Sequence, residues 1–116
     1  GHARAFAALV RTGDQYDPEC VPCHVTGYGY MAGYGQRSDL SGRRLKDVTC
    51  EGCHGSGASH VKSETTGEKA AASGIARSVS EQVCLSCHDE YNSPNFQYER
   101  YMDIGGAHRG EGGKTK

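Results

Sequence analysis

The sequence predicts a mostly α and loop fold with little regular secondary structure, a small domain wrapped around something other than its own side chains. Three observations lead there. Hydrophobic residues make up 35% of the 116 positions, Trp is absent and Phe occurs only twice, too little for a sizeable packed core. Glycine occurs 17 times, so much of the backbone is turn. One five-residue pattern recurs three times and uses all six cysteines.

The pattern is C-x-x-C-H: Cys20, Cys23 and His24; Cys50, Cys53 and His54; Cys84, Cys87 and His88. It is the attachment signature of a c-type haem. Two thiols one helical turn apart add to the two vinyl groups of one porphyrin, and the next residue binds the iron from below. Zinc knuckles, redox dithiols and disulfide frameworks are the competing readings. None of them requires a His directly after every pair, and none requires three copies. The filling of the interior is therefore expected to be three haem c groups.

Three further histidines, His2, His60 and His108, equal the haems in number. The simplest reading gives every iron two His ligands: His24, His54 and His88 on the proximal side, His2, His60 and His108 on the distal side. An iron with two His ligands has no open site for a substrate and suits electron transfer.

The elements follow in order. His2 to Arg11 is read as a short helix, since Ala3, Ala5, Ala7 and Ala8 favour it. His2, Phe6 and Leu9 then share a face that would press on a haem edge. Gly13, Asp14, Asp17 and Pro18 end the helix and lead into the first motif. Gly27 to Gly42, with Tyr28, Tyr30 and Tyr34 between glycines, suits a loop or short ribbon over a flat cofactor, or a flexible loop. Leu40 to Val48 delivers the second motif, and Gly55 and Gly57 turn the chain before His60. Thr65 to Glu68 fits a capping box for a short helix over Lys69 to Ser73, stopped by Gly74. Ser78 to Glu81 fits a second one, opening the helix that carries the third motif. Residues 111–116 read as a polar tail. The motif spacing is that of functional repetition within a single domain, 1–116, and not of a solenoid.

Net charge is −1 and no basic stripe is present, so nucleic acid is not an expected partner. Arg43, Arg44 and Lys46 form the one cationic cluster, read as a solvated loop or a docking patch. No apolar run approaches the ~20 residues of a transmembrane helix. The chain opens at Gly1 with His2 already functional, as a mature chain or an excised domain would.

These residues resemble the cytochrome c-554 family, tetrahaem electron carriers of ammonia-oxidising bacteria. The resemblance lies in His2-Ala3-Arg4-Ala5-Phe6, the run Cys20 to Gly29, Leu40-Ser41-Gly42, and above all Val48 to Gly57 with His60. It continues through Cys84 to His88, Tyr91 and Ser93-Pro94, to about residue 95. It implies closely packed haems in parallel and perpendicular pairs. It also implies that His2 ligates the haem on Cys50 and Cys53, with His108 the candidate for the haem on Cys84 and Cys87. The family has a further C-x-x-C-H ahead of the position of His2, and its counterpart of His60 serves that haem. The haem on Cys20 and Cys23 has no distal His in the family pattern.

Two arrangements follow from that departure. His60 ligates the first haem of its own chain, or it ligates a haem of a neighbouring subunit. The second, head-to-tail contact does not close on itself and builds a filament. The expected function is electron transfer, as a periplasmic carrier or as a subunit of an extracellular cytochrome filament, with other redox proteins as partners. An open first haem would make the chain a small redox enzyme or sensor instead, and a structural zinc protein is the third alternative. Because haem c is attached outside the cytoplasm in proteins of this class, the expected location is periplasmic or extracellular.

Overall fold

The computed structural model describes residues 1–35, 44–67, 74–105 and 108. Among them helix and turn make up nearly all the regular structure; no strand forms, and one isolated antiparallel bridge pairs Val25 with Lys46. The mostly α and loop class is what is found. The helices are α1 (Ala5–Thr12), α2 (Cys50–His54), α3 (Ala58–Thr66), α4 (Glu81–Leu85) and α5 (Tyr98–Asp103), with short 3-10 turns at His2–Arg4 and Val21–Cys23. The chain packs as two compact units, His2–Val79 and a second within Ser80–Lys116.

The N-terminal unit holds the buried residues. Eight residues of α1 are too few to stay helical alone in water, so packing must hold them. Phe6 and Leu9 are 7% and 5% exposed and meet Val21 and Val25, each 4% exposed, with Cys20 and Tyr34 against the cluster. Each such burial is worth roughly 1.5–3 kcal/mol. The helical face expected to press on a haem edge thus packs first on the residues inside and just after the first motif. Gly13, at φ +90°, closes the helix by donating its N–H to the Leu9 carbonyl at 2.8 Å.

The start of α1 is capped from far along the chain. Arg4 at the N-cap offers no capping side chain. The Asp47 carboxylate instead accepts the Phe6 N–H at 2.7 Å, across 41 positions. A carboxylate there satisfies an orphan donor and complements the helix dipole. Asp47 itself sits at φ +71°, a left-handed conformation that Asp tolerates better than most residues.

Thr26, 5% exposed, joins the same region to the second motif. Its hydroxyl donates to the Asp47 carbonyl at 2.9 Å and accepts the Thr49 N–H at 2.9 Å. Thr49 is the N-cap of α2. The Gly- and Tyr-rich stretch, expected as a loop or ribbon, is a run of turns through residue 35; 36–42 lie outside the described residues. It folds back so that the Tyr34 N–H donates to the Thr26 carbonyl at 3.1 Å. Gly33 passes so near Gly27 that a Cβ on it would lie 1.5 Å from the Gly27 carbonyl oxygen.

Two observations concern helix ends. Thr65 and Thr66 lie in the last turn of α3, their hydroxyls donating to the Val61 and Lys62 carbonyls at 2.9 Å, and Gly67 at φ +71° stops it. The local pattern of Thr followed by Gly serves a C-terminus as well as a capping box serves an N-terminus. The helix expected over 69–73 lies outside the described residues. The second capping box is two residues early: α4 begins at Glu81 with Ser80 as N-cap.

In the second unit no described residue is buried. Tyr91 is 93% exposed and Leu85 43%. Phe96 stands between two rings, 4.6 Å from His88 and 5.0 Å from Tyr101. An open cavity of about 560 Å³ borders Leu85, Phe96, Tyr98 and Arg100.

Candidate functional site

All three motifs are wound as helical turns, which brings the two cysteines of each pair to one side with the His following. The first is the 3-10 turn Val21–Cys23, closed by the His24 N–H on the Val21 carbonyl at 2.9 Å. The second is α2 itself. In the third, the Cys84 carbonyl accepts both the Cys87 N–H at 3.2 Å and the His88 N–H at 2.8 Å. Cys50 is exposed and the other five cysteines are half-buried.

The histidines of the motifs share one feature that the sequence does not announce. His24 Nδ1 lies 2.6 Å from the Ala5 carbonyl oxygen, and His54 Nδ1 lies 2.6 Å from the Ala76 carbonyl oxygen. A carbonyl only accepts, so Nδ1 carries the proton in both rings. This is how a metal-ligating imidazole is fixed in tautomer and orientation. His88 Nδ1 meets the Ser93 hydroxyl at 3.0 Å. Each motif His thus has its Nδ1 engaged. The donor set fits a haem.

Each tether has its own support. Ala5 opens α1, whose start Asp47 caps. Ala76 returns its own N–H to the His54 carbonyl at 2.8 Å, so the two segments clasp reciprocally. Just after α2 the chain turns, and the Gly57 N–H donates to Glu51 Oε1 at 2.6 Å. Ser93 is held by its N–H on the Asp89 carbonyl at 2.8 Å. Asp89 in turn accepts the Asn92 backbone and side-chain N–H groups, and these hydrogen bonds hold its carboxyl below the usual carboxylate range. The thiols respond to their surroundings in the opposite sense. Desolvation, then the carboxylates of Asp17, Asp14 and Glu19, pushes Cys20 up; desolvation, then Glu81, pushes Cys84 up. At neutral pH both thiols are kept protonated.

The remaining histidines are spread over both units. His2 lies in the opening 3-10 turn, and its carbonyl accepts the Val48 N–H at 3.2 Å, two positions ahead of Cys50. His60 stands half-buried in the first turn of α3, six positions after His54. His108 lies in the second unit with the third motif; it is exposed, and its N–H donates to the Gly105 carbonyl at 3.2 Å. Among the described residues no group of three or more His, Cys, Asp or Glu side chains is disposed around a shared metal ion. In the cationic cluster, Lys46 places its ammonium 4.7 Å over the Phe6 ring and so belongs to the packing of α1. Arg44 is exposed, and Arg43 lies outside the described residues.

The model of the family described as cytochrome c554 and c-prime matches residues 2–55, from His2 to the end of the second motif. Over that stretch the chain is similar to the cytochromes of that family. Cytochrome c-554 of Nitrosomonas europaea is 36% identical over 87 residues, an alignment that takes in 65% of this chain and 36% of that protein. The chain therefore spans about a third of the length of that relative. No solved structure matches. That similarity implies covalently attached haem c, which the donor set of the N-terminal unit fits. Among the described residues no helix is long and apolar enough to cross a membrane.

Proposed function

We propose that the chain is an electron conduit of three haem c groups, held on Cys20 and Cys23, Cys50 and Cys53, and Cys84 and Cys87. One observation carries the reading: every C-x-x-C-H is wound as a helical turn, and His24, His54 and His88 each have Nδ1 held by a partner within the protein. The haems supply reversible one-electron exchange; the residues of the chain attach them, orient their ligands and exclude water from them. On this reading the chain forms one haem-bearing domain, and exposed apolar side chains such as Tyr16, Met31 and Tyr91 are available to cover porphyrin faces.

His2 is assigned to the haem of the second motif, supported by its backbone bond to Val48. His108 is assigned to the haem of the third, with which it shares a unit. His60 serves the first haem of its own chain or a haem of the next subunit. With every iron held by two His, the chain transfers electrons and is not a catalyst. It works in the periplasm, passing electrons between redox proteins, or outside the cell as a subunit of a homopolymer.

Two measurements test this. A pyridine haemochrome assay of the purified protein is expected to give three haems per chain, and the oxidised protein is expected to be entirely low-spin. A persistent high-spin fraction at all concentrations would sink the two-His reading and leave the open-site enzyme or sensor. Dilution separates the two roles of His60. If it acts within its chain, the spectrum is independent of concentration and His60→Ala makes one haem high-spin. If it acts between chains, dilution itself creates the high-spin haem, and electron microscopy shows filaments.

A further inference from the structure

The three imidazoles are tethered by two kinds of acceptor. His24 and His54 meet peptide carbonyls at 2.6 Å, reaching across 19 and 22 positions. His88 meets a hydroxyl, Ser93 Oγ, at 3.0 Å across five positions. The His88 ring also lies stacked on Phe96, 4.6 Å between centroids and 16° between planes. Ser93 and Phe96 are joined by the Phe96 N–H on the Ser93 carbonyl at 2.9 Å, so one turn supplies both contacts.

The difference has a chemical consequence. With Nε2 on iron, Nδ1 of His88 is protonated and donates to Ser93. A hydroxyl oxygen is a weaker acceptor than a peptide carbonyl, and this contact is the longer one. A strong acceptor draws the Nδ1 proton, makes the imidazole a better electron donor at Nε2 and favours the ferric state. A weak one leaves the ring closer to neutral imidazole and favours the ferrous state.

We propose that Ser93 and Phe96 are positioning residues for His88, and that the Ser93 hydroxyl sets the haem of the third motif at a higher potential than a carbonyl in its place would. Phe96 fixes the plane of the His88 ring, and Ser93 fixes its donor strength. The third motif then favours the reduced state through its own turn, independently of the tethers in the N-terminal unit. The inference rests on the reading that His88 ligates the haem on Cys84 and Cys87.

The test is a redox titration of the holoprotein followed by NMR, in which the methyl signals of each haem titrate at that haem's own potential. Ser93→Asp supplies a stronger acceptor. It is expected to lower the potential of the Cys84 haem so that its ferric-to-ferrous ratio at fixed ambient potential rises about tenfold, or ~59 mV for one electron. Ser93→Thr keeps the hydroxyl and is expected to leave all three potentials at wild-type values. Asn95→Asp places the same charge at an exposed neighbour and is expected to shift the Cys84 haem by much less. Phe96→Leu is expected to change the g-values of one low-spin electron paramagnetic resonance signal. The proposal is overturned if Ser93→Asp leaves the Cys84 haem unmoved, or moves it no more than Asn95→Asp does, with three haems still bound. It is also overturned if Phe96→Leu leaves every g-value unchanged. Failure of the underlying reading has a different signature: Cys84→Ala combined with Cys87→Ala would then lose no haem.

Discussion

The two units solve the same problem at different ranges. In His2–Val79 the two motif histidines and the helix starts near them are set by bonds between residues far apart in sequence: His24 to Ala5, His54 to Ala76, Asp47 to Phe6, Thr26 to Thr49. In the second unit the bonds that hold the motif histidine lie within one short stretch, from Asp89 to Phe96. Long-range tethers require a fold, and that unit has the small core of Phe6, Leu9, Val21 and Val25. A local clip requires only a turn, and the described residues of the second unit bury nothing. The family model ends at residue 55, inside the first unit. The comparison teaches that the motif histidines of the first unit depend on its tertiary network, while the third motif carries its support in its own sequence.

The largest test of that contrast removes a motif from each unit. Cys84→Ala combined with Cys87→Ala is expected to cut the haem content from three per chain to two and to leave the Phe6 cluster intact. Cys50→Ala combined with Cys53→Ala is expected also to remove a haem and in addition to loosen the α1 tethers, since the N-cap of α2, Thr49, is bonded to Thr26, which is bonded to Asp47. Haemochrome assays read the first effect and hydrogen exchange over α1 reads the second. Equal protection of α1 in the two variants would break the comparison.

Much of the candidate site was legible from spacing alone. Cys-x-x-Cys-His is a local pattern because a porphyrin demands thiols one turn apart, so no tertiary knowledge was needed to find it. The helix over Ala5–Thr12 was legible for the same reason, its alanines and the Phe6 and Leu9 face being local signals. The Nδ1 partners were not. Ala5 and Ala76 contribute only backbone carbonyls, which every residue possesses, so no residue type marks them. Asp47 as a remote cap was invisible because its partner lies 41 positions away. The helix α3 escaped because it starts at Gly57 without a capping side chain and because its terminal threonines resemble a start. Ser93 is the exception, a partner close enough in sequence to be sought: a hydroxyl residue five positions after a motif His.

A glycine pair sharpens the comparison at intermediate magnitude. Gly33→Ala in the first unit puts a Cβ into the Gly27 backbone, which has no side chain to move aside. A loss of about 3 kcal/mol is expected, the upper end of overpacking costs. Gly105→Ala in the second unit meets nothing within 4 Å, and its cost comes only from the left-handed φ of +93°. About 1 kcal/mol is expected. Chemical denaturation of the holoprotein measures both, and a Gly105 effect as large as that of Gly33 would mean that the second unit is more tightly packed than its exposure indicates.

Thr26→Val keeps the shape of a buried side chain while removing its oxygen. The Thr49 N–H loses its acceptor and the Asp47 carbonyl its donor. A buried polar group left unsatisfied costs about 1–3 kcal/mol. Since Thr49 begins α2, amide exchange is expected to accelerate at the second motif and not at the third. Uniform acceleration across all three motifs would contradict a network confined to the first unit.

The smallest expected effect is a pH dependence, and it too belongs to one unit. Tyr34 packs on Phe6, 5.7 Å between ring centroids, and desolvation followed by the neighbouring Tyr16 raises its pKa above the ordinary value of 10.0. A group whose folded pKa is raised binds its proton more tightly in the folded state. The associated stability is therefore complete below pH 10 and is lost as pH climbs from there through the folded value. Tyr34→Phe has no phenol to ionise, so its alkaline limb is expected to be flatter than that of the wild type over that range. Tyr91→Phe, in the second unit and 93% exposed, is expected to leave the limb unchanged. A wild-type limb that Tyr34→Phe does not flatten would assign the alkaline loss to groups outside the α1 cluster.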